Sequence, residues 1–176
     1  MTRVVAIVGP SGAGKDTLIR AALVARPDLR LARRVITRPA DAGGEDFDGV
    51  TLAEFASRRD AGEFALHWQA HGLSYGIPQA AITGGGTVLF NGSRAALATA
   101  KAQVHGLQVI LVTAPDAVLA ARLAARGRED PADIAERLAR ASFAMPPGIA
   151  ATVVINDSSP EQGLARFLAA LQPVSG

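Results

Sequence analysis

Residues 9 to 17 read Gly-Pro-Ser-Gly-Ala-Gly-Lys-Asp-Thr, and this stretch restricts the fold more than any other. An apolar run, Arg3-Val-Val-Ala-Ile-Val8, precedes it, and a helix-forming run from Leu18 to Val24 follows. Strand, glycine loop and helix in that order form the context of a phosphate-binding loop. Gly9, Gly12 and Gly14 allow the tight turn that points backbone N–H groups inward. The helix start adds the positive end of its dipole, so anionic phosphates are favoured there. Pro10, Ser11, Ala13 and Thr17 complete the loop, and Lys15 supplies a point charge for the β- and γ-phosphates. Lys15 is one of only two lysines, the other being Lys101, so a lysine in this slot is not a by-product of composition. The usual pattern has Ser or Thr after the lysine, whereas this chain has Asp16. A carboxylate is a hard oxygen donor, which makes Asp16 the candidate Mg²⁺ contact.

The rest of the chain alternates strand-like and helix-like runs. Buried parallel strands are expected at Val4–Val8, 87–91, 109–113 and 152–155, where apolar residues run continuously. A short second strand is expected at 33–37, and helices at 15–26, 51–62, 117–126, 131–144 and 160–171. In the second helix Leu52, Phe55 and Ala56 share a face, and Ser93 is placed to cap the helix after the third strand. The pattern predicts an α/β fold with a central parallel sheet covered by helices on both faces. Residues 1–176 read as one domain, which suits the length. Residues 38–86 interrupt the rhythm and read as an inserted substrate-binding lobe.

Composition excludes several classes. No apolar run approaches the ~20 residues that cross a membrane. The chain goes directly into a strand, so no signal peptide is expected. With no cysteine there is no disulfide framework and no thiolate metal site. A net charge of +2 is far from the dense basic stripe of a nucleic-acid binder. A cytoplasmic protein acting on small molecules is the expectation.

Chemistry-bearing residues cluster in three places. Trp68, Tyr75, His67 and His71 fall within HWQAHGLSY, which reads equally as a pocket wall or a local core. His67 and His71 have zinc-compatible spacing, with no further ligand pattern beside them. Arg38 precedes Pro39 and is suited to bidentate phosphate binding. The acidic group Asp41, Glu45, Asp46 and Asp48 reads as a solvated loop, or as a site that orders basic side chains or Mg²⁺. Arg122, Arg126, Arg128, Arg137 and Arg140 flank the Gly127 break and read as an arginine-rich lid over phosphates, at about residues 122–140. A charged solvent face is the plainer alternative.

Taken in order, the loop, Thr37-Arg38-Pro39 with Gly44-Glu45, Tyr75-Gly76, Arg122…Arg126-Gly127 and Asn156-Asp157 resemble the guanylate kinase superfamily over nearly the whole chain. The resemblance implies a P-loop NTPase fold of the nucleoside monophosphate kinase type. It also implies that Asn156 and Asp157 lie near adenine. Four positions depart from that pattern. The second arginine of the T-R-x-x-R motif is Asp41, and the acidic base-reading residue is absent from Phe64–Trp68. The third residue of the Y-G-T motif is Ile77, and the strand-three aspartate is Asn91. Phosphate binding is kept while base recognition is lost.

Within the superfamily, GKDTL, VITRP, HGLSYGIP and NGSR are similar to the ribose 1,5-bisphosphate phosphokinase family. That likeness implies ATP-dependent phosphorylation of ribose 1,5-bisphosphate to 5-phosphoribosyl 1-diphosphate in phosphonate breakdown, with Mg²⁺. The implied roles are Lys15, Arg126 and Arg137 at the transferring group, and Arg38, Tyr75 and Arg94 at the acceptor. A guanylate kinase with altered base contacts and a non-catalytic protein-binding domain are the rival readings. Intact Lys15 and the lid arginines argue against the latter.

Overall fold

The computed structural model describes residues 1–10, 12–39, 47–125 and 145–172. Five parallel strands form the main sheet. They are β1 (Arg3–Val8), β2 (Leu29–Leu31), β7 (Thr87–Asn91), β8 (Gln108–Thr113) and β9 (Thr152–Ile155), in the spatial order β2-β7-β1-β8-β9. β1 is central, with Ile7 beside Asn91 of β7 on one side and Ile110 of β8 on the other. Its continuous apolar run is explained by burial on both faces.

Alternation along the strands divides the interior into two cores. Val5, Ile7, Leu89, Ile110 and Val112 face one side, where α1 (Lys15–Ala25) and α5 (Pro160–Ala170) cover them through Leu18, Ile19 and Phe167. α4 (Asp116–Ala125) adds Leu119 to this side. Val4, Ala6, Val8, Val88 and Phe90 face the other side. There α3 (Leu97–Gln103) packs, together with a second sheet built from residues 35–78. That sheet has β3 (Val35–Ile36), β4 (Asp48–Gly49), β5 (Phe64–Ala70) and β6 (Leu73–Pro78), in the order β4-β3-β6-β5. β5 and β6 form an antiparallel hairpin in which Trp68 faces Tyr75. Leu66 and Trp68 join this core, whereas Phe64, beyond a register shift in the hairpin, packs with Val35 and with Phe55 of the helix at Leu52–Asp60.

Several expectations need correction. The second strand of the main sheet is Leu29–Leu31, a three-residue edge strand with only Leu29 buried. A segment so short and half-polar has no readable periodicity. The stretch expected at 33–37 narrows to Val35–Ile36 and belongs to the second sheet. α2 (Leu52–Asp60) does bury Phe55, but Leu52 is 72% exposed and shares no buried face with it. Thr51 closes that helix with a capping box, accepting from the Glu54 N–H while the Glu54 carboxylate accepts from the Thr51 N–H. Ser93 makes no side-chain cap, because a 3₁₀ turn at Arg94–Ala96 separates it from α3. The helix expected at 131–144 lies outside the described residues. Among the described residues no helix is long and apolar enough to cross a membrane.

Candidate active site

The C-terminal ends of β1, β7, β8 and β9 meet at one edge of the main sheet, where open α/β sheets bind ligands. The loop after β1 crosses this edge. A Cβ on Gly9 would lie 2.0 Å from the Val112 carbonyl oxygen, a backbone atom that cannot move aside. Gly14 has φ +88° and leads directly into α1 without a side-chain cap. The first N–H groups of the helix therefore have no capping side chain, which is the arrangement that receives an anion.

Two side chains fasten the loop from behind. The Asn156 amide, just past β9, donates to the Ala13 carbonyl at 2.8 Å. Arg122 on α4 donates to the Gly12 carbonyl at 3.0 Å and to the Asn156 carbonyl at 2.6 Å. This revises the sequence reading of Arg122, whose fork holds the loop in place where a lid residue was expected. Its lid companions Arg126, Arg128, Arg137 and Arg140 lie outside the described residues, as does Ser11 of the loop. Asn156 is buried between two glycines. A Cβ on Gly14 would come within 2.6 Å of its Nδ2, and one on Gly163 within 2.3 Å of its Oδ1. The neighbouring Asp157 carboxylate accepts from Arg166 at 3.0 Å.

Positive charge gathers in front of the loop. Burial pulls the Lys15 ammonium down to about 8, with Arg34 and Arg94 lowering it further and Asp16 opposing them. Burial likewise pulls the Arg34 guanidinium down to about 10, and lowers Arg94. Desolvating cations and setting them near one another is unfavourable in the empty protein. A bound polyanion reverses that penalty.

The second sheet forms the opposite wall. Thr37 is stitched to β6, its Oγ1 accepting from the Ser74 N–H at 2.9 Å and its own N–H donating to the Ser74 carbonyl at 3.1 Å. This fixes the start of the Arg38 loop. The Arg38 guanidinium carbon lies 4.3 Å from the centre of the Phe47 ring. Trp68 stacks on Tyr75 with centroids 5.4 Å apart and planes 7° from parallel. Both belong to the core that includes Leu66, Ile77 and Phe90, so the aromatic cluster is core as well as wall. Arg34 lies 4.9 Å from the centre of the Tyr75 ring.

Sequence reasoning missed Arg34, which adjoins the short Val35-Ile36 pair and belongs to no motif. The only available signal was a charged residue flanking a buried apolar pair. Asn91 was noted only as a missing aspartate. In the structure its amide donates to the Asp16 carboxylate at 3.1 Å and orients it. Among the described residues no three His, Cys, Asp or Glu side chains converge as a metal cage. One exposed, oriented carboxylate beside a phosphate loop suits Mg²⁺, which keeps several waters and is held largely by substrate phosphates. Of the acidic loop only Asp48 is described, and it pairs with Arg58 at 3.1 Å.

No family model matches the chain. Curated relatives do. The sequence is 55% identical to the ribose 1,5-bisphosphate phosphokinase PhnN of Ruegeria sp. over 149 residues, 83% of this chain and 78% of that protein. It is 46% identical to the protein of the same name from Agrobacterium fabrum, covering 98% of this chain and 97% of that one. The chain belongs to the ribose 1,5-bisphosphate phosphokinase family. As a member of this family it is a kinase with a P-loop core. It also aligns, at 49% identity over 94% of its length, with the bifunctional ribose 1,5-bisphosphokinase-thymidine phosphorylase of Cupriavidus necator, of which it spans only 28%. Among solved structures, a guanylate kinase from Anaplasma phagocytophilum matches with a TM-score of 0.60, covering 97% of this chain and 87% of that one. At 16% identity this shows the fold alone.

Proposed function

We propose that the protein transfers the γ-phosphoryl group of ATP to ribose 1,5-bisphosphate, giving 5-phosphoribosyl 1-diphosphate and ADP, as a cytoplasmic step in phosphonate breakdown. The relatives' names supply the sugar. The structural observation that carries the reading is the acceptor wall. Trp68 stacks on Tyr75, Arg34 lies against the same ring, and only 9% of Tyr75 remains exposed. Such a wall offers cations to phosphates and little aromatic surface to a base. The guanylate kinase structure shares the fold, and among the described residues of the wall none favours guanine over a sugar phosphate.

The chemistry needs little from the protein beyond position and charge. A phosphate monoester has its second pKa near ~6, so the 1-phosphate is largely a dianion at neutral pH and needs no general base. One of its oxygens attacks the γ-phosphorus. The bond from that phosphorus to the β–γ bridging oxygen breaks, and ADP leaves with the bonding pair. Lys15 and the loop N–H groups hold the donor phosphates, with Asp157 toward the adenine; Asn156, expected there too, acts instead from behind the loop through the Ala13 carbonyl. Arg38, Tyr75 and Arg94 hold the acceptor. Arg126 and Arg137, which lie outside the described residues, would neutralise charge on the transferring group. Asp16, oriented by Asn91, would hold Mg²⁺, which when bound neutralises charge on the phosphate oxygens.

The test is coupled ADP release with ribose 1,5-bisphosphate, ribose 5-phosphate, GMP and AMP as acceptors. Ribose 1,5-bisphosphate is expected to have the highest kcat/KM. A mixed-substrate assay in which GMP wins would overturn the substrate assignment and leave the kinase standing.

A further inference from the structure

Arg34 links the second sheet to the end of β7 and, through Asn91, to the phosphate loop. Its backbone is pinned where the Asp48 N–H donates to the Arg34 carbonyl at 2.8 Å, just before β3. Its side chain crosses to the main sheet, and Nη1 donates to the Asn91 carbonyl at the end of β7 at 3.1 Å. The side chain of the same Asn91 holds Asp16 of the phosphate loop. The guanidinium also lies against Tyr75 of the acceptor wall. One residue thus spans the phosphate loop, the end of β7 and the acceptor lobe.

Its electrostatic neighbours are informative. Arg34 is felt by Lys15, and itself feels Arg38, Asp16 and Tyr75. An arginine serving only as a brace has no need to be near other cations. Cations brought together beside a phosphate loop, even with Asp16 among them, favour an anion there. The sequence also lacks the second arginine of the T-R-x-x-R pattern, having Asp41 there, while Arg34 lies four residues before Arg38.

We infer that Arg34 is a catalytic residue that contacts the phosphate receiving the new phosphoryl group, at the junction of the phosphate loop and the acceptor lobe. The inference rests on the phosphotransfer reading above. It assigns to Arg34 the second cationic contact that the position of Asp41 does not provide. Asn91 then has two tasks, its carbonyl aiming Arg34 at the acceptor and its amide aiming Asp16 at the donor.

Steady-state kinetics of Arg34→Met and Arg34→Lys test this. Losing a charge-assisted contact should lower kcat/KM for ribose 1,5-bisphosphate by about 10²-fold in Arg34→Met, while KM for ATP changes by less than about threefold. Arg34→Lys should recover part of the loss, because it keeps the charge but not the planar fork. A purely structural arginine would shift both KM values and the melting temperature together, and that result would overturn the assignment. A measurement without turnover keeps the assignment testable. Inorganic phosphate is titrated calorimetrically into protein saturated with a non-hydrolysable ATP analogue, so that the phosphate loop is already filled. Weaker phosphate binding by Arg34→Lys than by wild type supports the contact, and equal binding overturns it. A wild type inactive on ribose 1,5-bisphosphate would sink the substrate assignment, while the phosphate titration would still decide the role of Arg34.

Discussion

Binding of ATP should draw a proton onto Lys15. The ammonium of the empty protein titrates at about 8 against an ordinary 10.5, chiefly because it is desolvated beside Arg34 and Arg94. A triphosphate supplies the missing counter-charge and raises the pKa back to the ordinary range or above. Proton uptake then equals the neutral fraction of free Lys15, about 0.1 at pH 7, about 0.5 at pH 8 and about 0.9 at pH 9. The sign follows from the protonated form being the binder, so affinity is lost as pH rises through 8. The loss is about twofold at pH 8 and about tenfold at pH 9, relative to the plateau at lower pH. Arg34, at about 10, keeps its charge over most of this range. Calorimetric titration of a non-hydrolysable ATP analogue, in buffers of different ionisation enthalpy, reads the uptake directly. Lys15→Met should abolish it. Wild-type protein that takes up no proton at pH 8 to 9 would refute the reasoning.

The same shift has a folding consequence of opposite sense. Between 8 and 10.5 the unfolded chain binds more protons at this lysine, so stability rises with pH across that window. At pH 7 the charged lysine costs the empty fold up to about 3 kcal/mol, reduced to about 1–2 kcal/mol because the side chain keeps some solvent contact. Lys15→Met, inactive, should therefore melt about 2–8 °C higher than wild type when both are unliganded.

Three further perturbations separate roles at the site. Asp16→Ala should raise the Mg²⁺ concentration for half-maximal activity, with Asp16→Ser restoring part of it; an unchanged Mg²⁺ titration would place the metal elsewhere. Gly163→Ala gains about 1 kcal/mol of helix propensity. Its Cβ nevertheless displaces an Asn156 amide that holds the loop, at a cost of about 2–4 kcal/mol. Thermal melts should show net destabilisation, and a raised melting temperature would show that Asn156 can yield. Arg122→Lys cannot span the Gly12 and Asn156 carbonyls with one ammonium, so KM for ATP should rise several-fold while the acceptor KM holds.

What the sequence revealed depended on how local each signal was. The phosphate loop was legible because its requirements are contiguous: three glycines, a lysine and flanking elements of the right period. The strands of the main sheet were legible where burial on both faces forces continuous apolar runs, as in Val4–Val8, and not where an edge strand has one buried residue, as in Leu29–Leu31. The fastening of the loop was not legible. Arg122 and Asn156 are 34 residues apart, and their shared task appears only when α4 and the end of β9 are brought behind Gly12 and Ala13. Reading Arg122 together with Arg126 as lid arginines concealed this. Arg34 escaped for a related reason, since its partners Asn91 and Tyr75 come from different sheets.

The sharing of one core by both sheets bears on how the site works. Trp68 and Tyr75, in the wall that the second sheet forms, pack in the same cluster as Val4, Ala6, Val8 and Phe90. Moving this wall away from the loop would expose that cluster, and each large side chain uncovered costs about 1.5–3 kcal/mol. Several such residues would have to move together, at a cost comparable to the stability of a whole domain. The separation between Lys15 and Tyr75 is therefore set by packing before any ligand arrives. The second sheet is thereby held in a fixed position relative to the phosphate loop.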